Sequence, residues 1–220
     1  MASSHALIFI GGDPPHPNVR QHLSADAFVI AADSGYAHAI AMGFVPNELV
    51  GDMDSITAVD LTDARDSNIL ISQFPADKDL TDTEIAIASA IARHSTHVTV
   101  VSGGGDRFDH VLGMVHSLAS CAGTVDTTLL IGMARVSYAT YTKEFRNNTR
   151  PGDIISLIPI GGAATVTTTG LQWELDNNTL QSFASRGVSN IATGESVSIS
   201  VTDGLLAVIQ PFFLNPGDIS

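Results

Sequence analysis

Between residues 5 and 142 the chain alternates short, continuous apolar runs with stretches of helical pattern, and this alternation leaves few folds open. The runs are HALIFI, AFVIAA, ELVG, NILIS, THVTVV and DTTLLIG. Apolar runs that do not alternate with polar residues belong to strands covered on both faces. Helical stretches at 36–42, 80–94 and 109–122 fall between several of them. Repetition of strand, helix and strand predicts a parallel α/β sheet. From Lys143 to Gln210 the texture changes to short strands and turns, read as DIISLIPI, ATVTTTG, LQWEL, ESVSISV and GLLAVIQ. The expectation is an N-terminal parallel-sheet α/β domain over 1–142, followed by a smaller all-β, sandwich-like domain over 143–220.

At 220 residues and 44% apolar content the chain has the mass for a real core. Its formal net charge of −13, from 23 acids against 10 bases, argues against nucleic-acid and anionic-membrane partners, which select basic surfaces. A polyphosphate ligand fits such a chain only with metal cations between the like charges. The single cysteine, Cys121, cannot form an internal disulfide. The apolar run from Ala6 to Ile10 is too short for a signal peptide, and no stretch reaches bilayer length. A cytoplasmic setting is therefore expected. The two Asn-x-Thr sequons, at Asn147 and Asn177, are read as chance.

Ligands of open α/β sheets bind beyond the carboxyl ends of the strands, and the acids gather there. AFVIAA ends in Asp33-Ser34-Gly35, ELVG in Asp52-Met53-Asp54-Ser55, and THVTVVS in Gly103-Gly104-Gly105-Asp106-Arg107-Phe108-Asp109-His110. Asp77-Lys78-Asp79-Leu80-Thr81-Asp82-Thr83-Glu84 opens a helix between them. Magnesium prefers hard oxygen ligands, and an Asp-x-Asp pair just after a strand can put two carboxylates near one ion. A glycine triplet lets backbone N–H groups approach phosphates. Lys78 and Arg107 sit inside acidic motifs, as cations that grip phosphate oxygens do. Each motif also has a structural reading. Asp33-Ser34-Gly35 is a turn sequence, Asp54 or Ser55 can cap a helix, and Thr81 with Glu84 fits a capping box. Separate turn explanations do not account for acids recurring after strand upon strand.

No G-x-x-x-x-G-K-[ST], complete G-x-G-x-x-G, C-x-x-C, H-E-x-x-H or G-x-S-x-G is present. The stretches Ala32-Asp33-Ser34-Gly35, Gly51-Asp52-Met53-Asp54-Ser55, Lys78 to Glu84 and Arg107-Phe108-Asp109-His110 resemble the thiamine pyrophosphokinase family. So do Gly170-Leu171-Gln172-Trp173-Glu174-Leu175 and Gly187-Val188-Ser189-Asn190, in the family's order over nearly the whole chain. The chain departs from the family pattern at Ser34 and Asp106, where relatives often carry glycine.

The resemblance implies transfer of a diphosphoryl group from ATP to thiamine, giving AMP and thiamine diphosphate. It also implies a homodimer with active sites between subunits. On this reading Asp52, Asp54 and Asp82 hold magnesium, with Asp109 among the catalytic acids. Asp33, Ser34, Gly35, Ser55, Lys78, Asp79, Thr81, Gly104 and Arg107 face the triphosphate. Trp173 stacks on thiamine, while Ser189 and Asn190 bond its aminopyrimidine. The metal motifs do not read the acceptor. A pyrophosphokinase for another alcohol such as a hydroxymethylpterin, an Asp-x-Asp glycosyltransferase and a non-catalytic nucleotide or thiamine sensor therefore stay open at this point.

Overall fold

The computed structural model describes residues 4–105 and 107–214. They fall into two compact units, the chain up to Ser117 with Leu129–Gly132, and Leu118–Thr128 with Met133 onward.

The first unit is the parallel layer. Strands β1 (His5–Phe9), β2 (Phe28–Ala32), β3 (Glu48–Gly51), β4 (Leu70–Gln73) and β5 (His97–Ser102) stand in the order β5-β1-β2-β3-β4, parallel in every pair. Helices α1 (Gly35–Ala41), α2 (Ala58–Asp66), α3 (Asp82–Ala92) and α4 (Phe108–Cys121) alternate with them, and the division between the units runs through α4 and β6 (Asp126–Ile131). Val29 to Ala31 and Leu49 to Val50 are almost wholly buried, as their unbroken apolar runs require. Helix α2 escapes a reading by periodicity because AVDLTDARD has no apolar stripe, and only its Ala64 is buried. Its N-cap is Thr57, whose hydroxyl accepts from Asp60 N–H at 3.1 Å, and neither Asp54 nor Ser55 fills that place. The capping box at Thr81 and Glu84 is present at the start of α3.

A buried glutamate pins these elements. Glu48, 4% exposed, accepts from Ser72 Oγ on β4 at 2.8 Å and from Ser89 Oγ on α3 at 2.7 Å. Arg93 Nη2, at the end of α3, donates to it at 3.0 Å and its guanidinium lies 4.3 Å from the Phe28 ring centroid. Glu48 therefore holds α3, which begins at Asp82, against β3, which runs into Asp52.

The second unit is antiparallel in each strand pair described. Strands β7 (Ala134–Thr140), β8 (Phe145–Asn148), β9 (Ile154–Pro159), β10 (Ala164–Thr169), β11 (Asn178–Leu180), β12 (Asn190–Ile191), β13 (Ser196–Asp203) and β14 (Leu205–Gln210) form two layers. Their orders are β12-β9-β14-β7 and β11-β10-β13-β8. Ile155, Leu157 and Val208 from one layer and Val166, Ile199 and Leu180 from the other share a single core, which makes a sandwich. LQWEL is not one of the strands. Glu174 Oε1 accepts from Gly170 N–H at 2.9 Å and folds the segment back on itself, so Leu171 and Leu175 turn inward while Trp173 stays out. No helix among the described residues is long and apolar enough to cross a membrane.

Candidate active site

Directly after β2 comes Asp33, whose φ of 44° turns the chain sharply into α1. Its carboxylate, 6% exposed, points toward the end of β3, where Met53 N–H donates to Oδ1 at 3.0 Å. Carboxylate oxygens of Asp33, Asp52 and Asp82 lie within 4.8 Å of one another. Asp54 is more exposed, and its backbone N–H donates to Asp52 Oδ1 at 3.1 Å. Lys78 Nζ sits between two of these acids, 3.1 Å from Asp82 and 3.7 Å from Asp52. Burial lowers the ammonium's pKa, but Asp82, Asp52 and Asp33 outweigh it and raise it.

One lysine does not neutralise this set. Burial, and then the charges of Asp82 and Asp52, push Asp33 up to about 7 against the opposing Met53 bond. Asp52 is lowered, chiefly by the Asp54 N–H, while sharing of its proton raises Asp54. Asp82 Oδ1 is cut off from water, and the Lys78 ammonium stands 3.1 Å from it. Three carboxylates gathered around a single ammonium are a donor set that a hard divalent cation satisfies.

The raised Asp33 has a consequence for stability. Its folded-state pKa of about 7 exceeds the unfolded value of 3.8, so its contribution is fully present at low pH and is lost as pH rises through about 7. Asp33→Asn keeps the shape and the acceptor for Met53 but has no charge to lose. In metal-free buffer the variant is expected to melt above the parent chain, by a margin that widens from pH 4 to pH 8. Melting curves with a margin independent of pH would contradict this account.

Beside the acids opens a cavity of about 530 Å³ whose wall includes Gly11, Gly12, Ser34, Ser55, Thr81, Asp82, Ser102, Gly104, Arg107 and Asp109. Two loops are clasped to make it. Asp13 N–H donates to the Gly104 carbonyl at 3.0 Å, and Gly103 N–H donates to the Asp13 carbonyl at 3.1 Å. Ser102 Oγ accepts from Gly104 N–H at 3.0 Å. Gly11 and Gly12, just beyond β1, were not among the residues picked out by sequence, although IGGD after a strand is the same signal as SGGGD.

The remaining motif residues are placed differently. Gly35 is buried where a side chain would meet the Phe9 carbonyl at 2.1 Å, so it packs α1 on β1. Arg107 and Asp109 are exposed and pair with each other, Nε to Oδ1 at 3.0 Å and Nη2 to Oδ2 at 2.7 Å. That bond holds the Asp109 carboxyl well below the usual range. Asp79 is exposed. Asp106 lies outside the described residues.

In the second unit Trp173 is 56% exposed, so it is not a core tryptophan. Asn190, 3% exposed, holds its peptide from both sides: Oδ1 accepts from Trp173 N–H at 3.1 Å and Nδ2 donates to its carbonyl at 2.8 Å. The same Oδ1 accepts from Ile191 N–H at 2.9 Å. Ser189 is exposed, with a φ of 58°, and its N–H donates to Ser156 Oγ at 3.0 Å.

Comparison with known proteins matches both halves. Residues 19–130 fit the model described as thiamin pyrophosphokinase, catalytic domain, and residues 142–206 the one described as thiamin pyrophosphokinase, vitamin B1 binding domain. Thiamine pyrophosphokinase 3 of Oryza sativa subsp. japonica is 30% identical over 172 residues, 72% of this chain and 63% of that protein, so the chain spans less than two thirds of that relative's length. The thiamine pyrophosphokinase of Bacillus subtilis (strain 168) is 24% identical over 91% of this chain and 96% of its own. The crystal structure of thiamine pyrophosphokinase from Bacillus subtilis superposes with a TM-score of 0.82 at 23% identity, covering 94% of this chain and 98% of that one. The yeast thiamin pyrophosphokinase structure gives 0.72 at 17% identity, over 99% and 89%. With family models covering both its α/β and its β portions, this chain belongs to the thiamin pyrophosphokinase family.

Proposed function

We propose that the protein transfers the diphosphoryl group of ATP to the hydroxyl of thiamine, releasing AMP. The observation that carries this reading is the carboxylate set around Lys78 at the mouth of a glycine-walled cavity, in the portion matched to the catalytic model. Asp52, Asp54 and Asp82 are the proposed magnesium ligands, with Asp33 as a fourth carboxylate behind them. When bound, magnesium supplies charge neutralisation on the triphosphate oxygens. Lys78 adds a cation that stays protonated in this setting, and the N–H groups of the clasped glycine loops offer donors to phosphate oxygens. Arg107 meets phosphate only by exchanging Asp109 for it, which keeps its charge neutralised until substrate arrives. Attack of the thiamine oxygen on the β-phosphorus forms one P–O bond and breaks the bond to the α-phosphate oxygen. One of the clustered aspartates accepts the hydroxyl proton.

Trp173 is the proposed stacking face for thiamine, with Ser189 beside it. Because the Asn190 amide is committed to the Trp173 and Ile191 backbone, its role on this reading is to aim the ring. A homodimer in which each site takes Trp173 from the other copy, in a cytoplasmic setting, completes the proposal. The test is to incubate the purified protein with ATP, magnesium and thiamine and to quantify products. AMP and thiamine diphosphate in equal amounts support it, whereas ADP with thiamine monophosphate or no turnover of thiamine refutes it.

Trp173→Ala is expected to weaken thiamine binding by about 1–3 kcal/mol, the range for one lost stacking face, and to leave the KM for ATP nearly unchanged. Mixing Trp173→Ala with Asp82→Asn chains checks the shared site. Recovered activity means each site draws on both copies, and none, with subunit exchange verified, excludes that arrangement.

A further inference from the structure

The second unit carries a positive site for which the proposed reaction has no use. With 23 acids against 10 bases, this chain has carboxylates to spare for its cations. Arg135, on β7, has none among the described residues. Its Nε donates to Gln210 Oε1 at 2.8 Å and its Nη2 donates to the same neutral oxygen. Gln210 is its partner across the β7–β14 ladder. The guanidinium carbon lies 4.1 Å from the Phe213 ring centroid and 5.9 Å from that of Phe145. Burial lowers its pKa to about 10, and among the described residues no neighbouring charge counters the burial. A partly desolvated guanidinium held by an amide and ring faces keeps most of its field.

That field reaches a cavity. Gln210 lines a space of about 290 Å³ together with Asn147, Asn148, Arg150, Phe212 and Phe213. Its Oε1 is already engaged by Arg135 and, at 3.4 Å, by Asn147 Nδ2, so the amide can address a ligand only through its Nε2 donors. Arg150 lines the same space, and its guanidinium makes no ion pair among the described residues. The carboxylate on this wall, Asp153, accepts from the Arg150 backbone N–H at 2.8 Å. Two uncompensated arginines, an amide turned donor-first and two aromatic residues thus converge on one space, small for a ligand site but wide enough for a single ring.

We propose that this cavity binds a small aromatic anion, a ring carrying one phosphate or carboxylate group. The anionic group meets Arg150 and Gln210 under the field of Arg135, and the ring lies against Phe212 and Phe213. The test is a titration of the nitrogen-15-labelled full chain, in EDTA and without ATP, followed by NMR. The probes are phenyl phosphate, benzoate and neutral benzyl alcohol. Saturable shifts of the amides of 147–153 and of Gln210 with the two anions, absent with the alcohol, are expected, and the tighter anion identifies the preferred head group. Arg150→Gln, on an exposed side chain, should weaken the anions about tenfold, as loss of a charge-assisted hydrogen bond does. Arg135→Met fills the space beside the rings without charge. It should weaken them similarly while raising the melting temperature of the free chain, because an uncompensated charge has gone. Should Arg135→Met fail to fold, Arg150→Gln and the neutral probe still decide. Shifts confined to Gly11, Gly12 and Gly104, equal shifts with benzyl alcohol, no shifts at millimolar probe, or undiminished binding in Arg150→Gln would each overturn the proposal.

Discussion

Chelation with EDTA is expected to abolish turnover and added magnesium to restore it, and Asp82→Asn is expected to cut turnover by on the order of 10²-fold with the fold intact. The two outcomes share a cause. Asp33, Asp52 and Asp82 offer oxygens within 4.8 Å of one another, and Lys78 bridges Asp52 and Asp82. ATP brings more negative charge into that space. On the proposed reading, without a divalent ion the like charges oppose binding, and without Asp82 the ion loses one of its carboxylate ligands. Stability should hold or rise, since the substitution relieves repulsion on Asp33. The rival account rests on Asp82 being the first residue of α3, where a negative charge favours the helix. If that is all it does, Asp82→Asn lowers the melting temperature and leaves turnover alone. Steady-state kinetics beside a thermal melt of the same preparation separates the two.

Gly51→Ala is expected to destabilise the chain by about 3 kcal/mol and to remove most of the activity that remains. The residue closes β3 with a φ of 142°, a conformation that side chains rarely adopt. A Cβ there would lie 2.1 Å from Asp33 Oδ1 and 2.4 Å from its Cγ. The carboxylate must then swing away, giving up the bond from Met53 N–H and its place beside Asp52 and Asp82. Removing Asp33 as well relieves the clash but not the backbone strain. Asp33→Ala combined with Gly51→Ala should therefore be less destabilised than the two singles sum to. Denaturant titrations of the four proteins measure this, and a Gly51→Ala chain that unfolds with its parent would refute it.

The parallel layer was legible because its strands are largely apolar runs that do not alternate with polar residues. Asp33 and Asp52 could be read from the same runs, since each directly follows a strand, whereas Asp82 was marked by the capping box of Thr81 and Glu84 that opens α3. What stayed hidden depended on partners distant in sequence. Helix α2 has no apolar stripe, β7 and β8 (ARVSYAT and FRNN) are mixed in polarity, and LQWEL alternates like a strand yet is folded back by Glu174. Glu48 looked like one residue of a strand, and only Ser72, Ser89 and Arg93 reveal it as the tie between β3, β4 and α3. Gly35 matched a phosphate-loop pattern, but the Phe9 carbonyl beside it gives it a packing role. Asn190 matched a ligand-reading motif, but its amide is spent on Trp173.

The hold of Asn190 on Trp173 bears on how affinity is built. An exposed aromatic residue on an ordinary turn samples many orientations, and a ligand that stacks on it must freeze them, at a cost of about 0.5–1.5 kcal/mol for each side chain immobilised. Here both the N–H and the carbonyl of the tryptophan's own residue are fastened to one buried amide, and Leu171 and Leu175 anchor the turn on either side. The backbone entropy of this turn is therefore surrendered during folding. On the proposed stacking role, a ring landing there still has to freeze the Trp173 side-chain torsions but not the backbone that carries them.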